Sequence, residues 1–359
     1  MANEILDLEP YVLAKERKTN ILNKIVKDLT IFHYENCVEY KRMINAVGFN
    51  VYGDYSYNKV PALPVSLFKE LNLKSVADDR VFKTMTSSGT TGQAVSKIYL
   101  DSETASMQQK VLVKIINSYM GASRLPMIII DSPSVIKDRK QFSARGAGIL
   151  GFSIFGTDKT YALDDNMELN IEALNAFLEK HKGERILLFG FTFMIWQHFY
   201  KKCLESNVRF DMSNGILFHG GGWKKLVNEQ VSKSAFKKAL NDVCRIKEVH
   251  DYYGMVEQTG CVYVECECGH LHASNFSDII IRNHLDLHEC GIGEKGLIEV
   301  VSSIPKSYPG HVLLTEDEGV LLGEDDCPCG RKGKYFEVLG RIKNAEIRGC
   351  SDTYAAKFK

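Results

Sequence analysis

This chain of 359 residues carries no excess of charge: 45 Lys and Arg balance 45 Asp and Glu. A zero balance excludes the basic footprint of a nucleic-acid binder and the polybasic run of a membrane anchor. Long hydrophobic runs are also missing. The most apolar segment, Ile186 to Trp196, is too short to span a bilayer, so no membrane insertion is expected. Met1-Ala2-Asn3-Glu4-Ile5 is acidic and lacks the apolar stretch of a signal peptide. No repeat or low-complexity linker is present, and no Gly-x-Ser-x-Gly elbow, which disfavours a thioesterase. With 45% hydrophobic and 25% charged residues, the composition is that of a soluble enzyme with a large core in one or two domains. Ten cysteines without an export signal point to metal or catalytic thiols in a reducing cytoplasm.

The periodicity predicts an amphipathic helical pair over 11–47, with Leu13, Ile21, Ile25, Leu29 and Phe32 near the helical spacing. Val60 to Phe68 reads as extended, because each residue before a proline is pushed out of the helical region. Strands are expected at 81–85 and 95–100, then a helix capped by Asp101 and running to about Met120. Further strands are expected at 126–131, 185–189, 216–218 and 246–249, with helices over 171–181, 192–205 and 227–243. Strands alternating with helices imply an α/β fold built of βαβ units around a mostly parallel sheet. From Gly260 onward, short strands, turns and paired cysteines suggest a smaller β-rich part.

Three segments carry possible chemistry. Thr86-Ser87-Ser88-Gly89-Thr90-Thr91-Gly92-Gln93 lies between two expected strands, where small hydroxyls and bare backbone N–H groups can surround phosphate oxygens. It is no Walker A loop, since no Gly-Lys-Ser/Thr closes it; a polar hairpin turn is the competing reading. Gly220-Gly221-Gly222 follows a strand and would let a flat ring or ribose lie against backbone, although a tight strand-to-helix turn is the better explanation of the triplet alone. Cys266-Glu267-Cys268-Gly269-His270-Leu271-His272 and Cys327-Pro328-Cys329 gather soft and borderline ligands in two short turns. Those turns suit a structural zinc held by four sulfur and nitrogen ligands, against unliganded thiols.

The Thr86 to Gln93 loop together with Asp251-Tyr252-Tyr253-Gly254-Met255-Val256-Glu257 resembles the signatures of the adenylate-forming enzymes, which activate carboxylates with ATP. The resemblance implies that Thr86, Ser87, Ser88, Gly89, Thr90, Thr91 and Gly92 hold phosphates, and that Gly221 and Gly222 line the adenine. By the same token Tyr253 stacks on that ring beside Gly254, and Glu257 holds Mg²⁺, a cation that prefers hard oxygen ligands. Val256 departs from the pattern, in which threonine contacts phosphate. Leu313 to Gly319 is similar to the segment whose aspartate binds the ribose hydroxyls, here Asp317, and Gly340-Arg341 to the hinge motif whose arginine also reaches the ribose. The phenylacetate–CoA ligase branch has a Cys-x5-His and Cys-x-Cys zinc site. By that likeness Cys266, His272, Cys327 and Cys329 are the ligands, with Cys268 or His270 as substitutes for His272.

Over residues 55–352 the chain resembles the LuxE family, the acyl-protein synthetases of bacterial fatty-acid reductase complexes. Pro61 to Phe68, the Thr86 loop, Gly220 to Lys225, Asp251 to Gly260, Ser307 to His311 and Gly340 to Cys350 carry this likeness. It implies a helical region at 1–54, an AMP-binding adenylation domain at 55–340, and a short segment at 341–359 in place of the usual C-terminal domain. In that family a cysteine near the C-terminus takes the acyl group from the adenylate as a thioester and presents it to a partner acyl reductase. Cys350, next to Gly349 and near Arg348, fits that part; an inert terminal cysteine is the alternative. Lys343, Lys357 and Lys359 are the candidates to replace the lysine of the missing domain. The expected substrate is a fatty acid, with ATP, Mg²⁺ and a structural zinc. An acyl- or aryl-CoA ligase and a non-catalytic zinc-stabilised scaffold are the rival readings; Phe152, Phe155, Phe191, Phe193 and Trp196 are candidates for the acyl pocket, although core packing explains them equally well.

Overall fold

The computed structural model describes residues 5–87, 95–137 and 144–342. Within it the chain forms two compact units, residues 1–118 with 254–359, and residues 119–253. The expected phosphate-loop residues Ser88, Gly89, Thr90, Thr91 and Gly92 lie outside the described residues, as do Lys343, Cys350, Lys357 and Lys359.

The first unit opens with two helices, α1 (Lys15–Asn36) and α2 (Val38–Ala46). They are separated at Cys37, whose backbone is extended (φ −125°, ψ 110°), so the expected helical pair is present. Three strands follow: β1 (Leu63–Pro64), β2 (Lys83–Thr86) and β3 (Lys97–Leu100). Helix α3 (Ser102–Met120) begins where Asp101 Oδ1 accepts from the Thr104 N–H at 2.8 Å, as the sequence predicts.

The second unit is a doubly wound sheet. Its strands β4 (Leu125–Ile130), β5 (Gly156–Tyr161), β6 (Ile186–Phe191), β7 (Gly215–Gly220) and β8 (Glu248–Tyr253) are all parallel. Their spatial order is β8-β7-β6-β4-β5, so the winding reverses between β4 and β6. Such a reversal leaves a crevice outside the carboxyl ends of the strands, where ligands of open α/β sheets bind. Crossovers run through α4 (Ala144–Phe152), α5 (Ile171–Lys180), a helical run over 192–205, and α6 (Lys233–Cys244). The run over 192–205 is interrupted by a π-helical stretch, Ile195–Tyr200, a feature that often marks a site of function. Ile128, Leu188, Leu217, Phe236 and Leu240 form the core between sheet and helices. Elements α4 and β5 were not anticipated from the sequence.

Returning to the first unit, the chain makes β9 (Tyr263–Glu265), β10 (Leu271–His272), β11 (Ser277–Arg282), β12 (Lys295–Ser302), β13 (Val312–Glu324) and β14 (Lys334–Arg341). They pair antiparallel in the order β11-β12-β13-β14-β10-β9, and β1 adds to β13 in parallel. The β-rich part expected after Gly260 is thus an antiparallel sheet with strands of up to 13 residues. Leu22 and Val26 of α1 pack on Ile280, Val301 and Val312 of this sheet. Among the described residues, no helix is long and apolar enough to cross a membrane.

A buried charge cluster holds α1 to the sheet. Asp278 Oδ2 accepts from Lys334 Nζ at 2.9 Å and from the Tyr57 hydroxyl at 2.5 Å, while Oδ1 takes Lys18 Nζ at 3.3 Å. Burial opposes the charged form of Asp278, yet Lys334, Lys18 and Tyr57 overcome it and hold the carboxyl down to about 2. A carboxyl depressed in the folded state stabilises the fold above its unfolded value, and that contribution is lost as pH falls through the folded one. Asp278→Asn, which strands two buried ammonium groups, should lower the unfolding free energy by about 3–5 kcal/mol at neutral pH. Urea unfolding followed from about pH 4 down to about 2 should show a fall in stability in the parent that is absent from the variant.

Candidate metal centre and nucleotide-binding elements

The two cysteine turns are built alike. The Cys266 carbonyl accepts from the Gly269 N–H, and the Cys327 carbonyl from the Gly330 N–H, each at 2.9 Å. Both glycines sit at positive φ, +85° and +82°, a conformation that costs a residue with a side chain about 1–2 kcal/mol. The first turn is the tip of the β9–β10 hairpin, with Glu265 opposite Leu271 and Val264 opposite His272. The second leads into β14, whose Tyr335 stands opposite His272. Arg331 joins the turns through Glu267, at 2.5 and 3.1 Å.

This construction brings Cys266, His272, Cys327 and Cys329 together, with their ligand atoms all within 4.8 Å of one another. Cys266 Sγ is 3.9 Å from Cys327 Sγ, too far for a disulfide, and Cys329 Sγ is 3.4 Å from His272 Nε2. Four ligands arranged tetrahedrally at zinc distances stand about 3.5–3.8 Å apart. Burial, with the positive charge of Arg331, pushes the His272 imidazole down to about 4, the neutral form that ligates metal. The donor set therefore fits a closed zinc site with no open coordination position, in which Arg331 offsets the net negative charge of three thiolates and a dication. Cys268 is exposed. His270 Nδ1 lies 3.4 Å from Cys327 Sγ alone, and its ring stacks on Tyr335 at 4.9 Å. His272, and neither Cys268 nor His270, completes the cluster.

Of the expected nucleotide-binding residues in the first unit, Asp317 and Arg341 are brought together. They are cross-strand neighbours of β13 and β14, with Arg341 Nε 3.6 Å from Asp317 Oδ1 and Arg341 Nη1 3.8 Å from Glu316 Oε2. Thr315 shapes that place: its hydroxyl donates to the Ile298 carbonyl at 2.8 Å and lies 3.2 Å from the Asp317 N–H. Thr86 ends β2, and the Ser87 hydroxyl accepts from the Ser96 N–H at 2.9 Å, so both ends of the Gly-rich segment are tied. Glu257 is buried in a short 3-10 turn following Gly254. Burial pushes its carboxyl above the ordinary range, against the Ser96 hydroxyl, which favours the ionised form. A buried carboxyl of this kind gains its charge back from a bound cation.

Residues that the sequence reading had not given a role anchor this turn. The Tyr308 hydroxyl donates to the Glu257 carbonyl at 2.9 Å, and Gln258 Nε2 donates to the carbonyls of Gly310 at 2.8 Å and Val300 at 3.2 Å. A Cβ on Gly310 would lie 2.8 Å from the Glu257 carbonyl oxygen. The signal was present in Ser307-Tyr308-Pro309-Gly310-His311, but without a partner to assign it.

In the second unit, Gly221, Gly222 and Tyr253 stand at the carboxyl ends of β7 and β8, the edge that the winding reversal marks for ligands. A Cβ on Gly220 would meet the Tyr252 ring at 2.7 Å, Gly221 is at φ +79°, and among the described residues nothing lies within 4 Å of a Cβ on Gly222. The same edge holds groups that sequence reasoning missed. Thr192 Oγ1 is 3.0 Å from His219 Nδ1, and the His219 ring is kept neutral by burial, its value pushed down to about 3. Arg145 Nε pairs at 2.9 Å with the buried Asp131 at the end of β4. Nothing in the local pattern connects residues 131, 145, 192 and 219; only the parallel topology does.

The family model for "Acyl-protein synthetase, LuxE" matches residues 1–359. A long-chain-fatty-acid–luciferin-component ligase of Vibrio harveyi is 22% identical over 364 residues, covering 97% of this chain and 91% of that protein. Its counterpart from Aliivibrio fischeri is 24% identical over 369 residues, covering 98% and 93%. Among solved structures, an open 2-hydroxyisobutyryl-CoA ligase in complex with 2-HIB-AMP and CoA superposes with a TM-score of 0.68 at 12% identity, over 93% of this chain and 77% of that one. That likeness shows the fold, that of the adenylate-forming ligases. On the match along its whole length, the chain belongs to the LuxE family of acyl-protein synthetases.

Proposed function

We propose that this enzyme activates a long-chain fatty acid with ATP and then acylates itself on Cys350, for delivery to a partner acyl reductase in the cytoplasm. What carries the reading is the whole-length family match combined with the Asp317–Arg341 pair, two residues that the resemblance to adenylate-forming enzymes assigns to one ribose and that stand 3.6 Å apart. In the first step a carboxylate oxygen of the fatty acid attacks the α-phosphorus of ATP, and pyrophosphate leaves. In the second the Cys350 thiolate, its proton lost to solvent, attacks the acyl carbon, forming a thioester and releasing AMP.

The residues present divide the work. Asp317 accepts hydrogen bonds from the ribose hydroxyls, and Arg341 on the neighbouring strand also reaches the ribose. Gly221, Gly222 and Tyr253 receive the adenine, and Thr86 and Ser87 with Ser88, Gly89, Thr90, Thr91 and Gly92 surround the phosphates. Glu257 would hold Mg²⁺, which supplies charge neutralisation on the phosphate oxygens when bound. Catalysis of this kind is mainly positioning and charge stabilisation. Residues 55–340 would be the adenylation domain, with 1–54 as a helical region and 341–359 carrying the acceptor. Zinc on Cys266, His272, Cys327 and Cys329 would be structural, tying the β9–β10 turn to the start of β14.

Cys350→Ser should keep fatty-acid-dependent exchange of pyrophosphate into ATP, because the adenylate forms without a thiol, and should lose the hydroxylamine-labile acyl group. Glu257→Gln should depress both by about tenfold or more, since the thioester step depends on the adenylate. Retention of a labile acyl group in Cys350→Ser would place the acceptor elsewhere, with Cys261 and Cys290 next to examine. Elemental analysis of freshly purified, dialysed protein should give one tightly held zinc per chain. Cys327→Ser should lose metal and thermal stability together, because the binding free energy of such a site is folding free energy.

A further inference from the structure

A second group of metal-ligating side chains lies in the loop between β11 and β12. His288, Cys290 and Glu294 each offer a ligand atom, and the three atoms all lie within 4.8 Å of one another. Cys290 is buried, while His288 and Glu294 face solvent. None of the three takes part in the adenylation chemistry described above.

The arrangement is held before any ion arrives. Cys290 is fixed to the sheet by its N–H, which donates to the Ile281 carbonyl at 2.8 Å. Glu294 is oriented by the Gly291 N–H, which donates to Oε2 at 2.8 Å and leaves Oε1 available. The tip of the loop is pinned where the Gly293 N–H donates to the Leu321 carbonyl at 2.8 Å, with Gly293 at φ +85°. His288 Nδ1 lies 2.6 Å from Asp286 Oδ1. With Nδ1 protonated and donating to that carboxylate, Nε2 carries the lone pair, the arrangement that orients a ligating histidine.

We propose that His288, Cys290 and Glu294 form a second site for a zinc-class divalent ion, distinct from the cysteine cluster. One thiolate, one carboxylate and one neutral imidazole balance a dication, and mixed sulfur, nitrogen and oxygen donors suit zinc or cobalt over magnesium or calcium. Three protein ligands leave the fourth position to water or an incoming ligand. The site is therefore open and exchangeable, in contrast to the closed cluster at Cys266.

Cobalt(II) alone is the probe, titrated into the full chain with its native zinc in place while a zinc indicator follows any release. The site requires one bound equivalent of cobalt with a thiolate-to-cobalt charge-transfer band and no zinc release. Cys290→Ala should abolish the band. Asp286→Asn should weaken cobalt binding about 10–100-fold, the loss usual for a ligand's orienting partner, and His288→Ala, which removes a ligand outright, should weaken it at least as much. His288 and Asp286 are exposed while Cys290 is buried, and unchanged circular dichroism and zinc content would show that the fold is intact in each variant. The assignment is overturned if no charge-transfer band appears, if the band persists in Cys290→Ala, if it forms only as zinc is released, or if binding is indifferent to His288→Ala.

Discussion

A carboxylate buried among two lysines and a tyrosine sets the geometry of the first unit. Asp278 on β11 takes Lys334 from β14, Lys18 from α1 and Tyr57 from the segment before β1. These residues lie far apart in the chain, so the cluster can form only when helix and sheet are already in register. Lys18 also donates to the Ala273 carbonyl at 3.3 Å. Gly333 leaves room for that approach, since a Cβ there would lie 3.1 Å from Lys18 Nζ and 2.6 Å from the Ala273 oxygen. A buried ion pair is seldom a large net source of stability, but leaving one partner unmatched is expensive. The cluster therefore rejects alternative placements of α1 and β14.

The placement of β14 then decides two sites at once. At its start, Tyr335 stands opposite His272 and stacks on it at 5.5 Å, which fixes the ring facing Cys329. At its end, the register with β13 puts Arg341 opposite Asp317. Irregularities between Glu318 and Gly319 and between Leu321 and Gly323 are part of that register. The cysteine cluster and the Asp317–Arg341 pair thus lie at opposite ends of β14, and a closed zinc site would hold the register that brings the pair together.

Much of this was legible in the sequence where the signal is local. The Asp101 cap, the strand–helix alternation over 125–253 and the two Cys-x-Cys turns each depend on residues only a few positions apart. Helix α4 was hidden because Ala-Arg-Gly-Ala-Gly-Ile-Leu-Gly-Phe carries three glycines, which weaken helix propensity. Gly148 is there for packing, since a Cβ would lie 2.8 Å from the Phe191 ring. Strand β5, Gly-Thr-Asp-Lys-Thr-Tyr, is a polar edge strand without alternation. The acidic run Glu316-Asp317-Glu318 carries no strand signal, although it lies inside a continuous 13-residue strand. The choice of His272 over Cys268 needed the hairpin register, and the charges around Asp278 leave no short-range trace at all.

The central claim is that one chain both forms the acyl-adenylate and receives the acyl group. Intact-mass measurement of the full chain, incubated with Mg·ATP and a long-chain fatty acid and with no other acceptor, tests it most directly. The account predicts one added acyl group per chain, dependent on ATP and removed by neutral hydroxylamine. An unmodified protein that instead releases acyl-CoA once coenzyme A is supplied would contradict it.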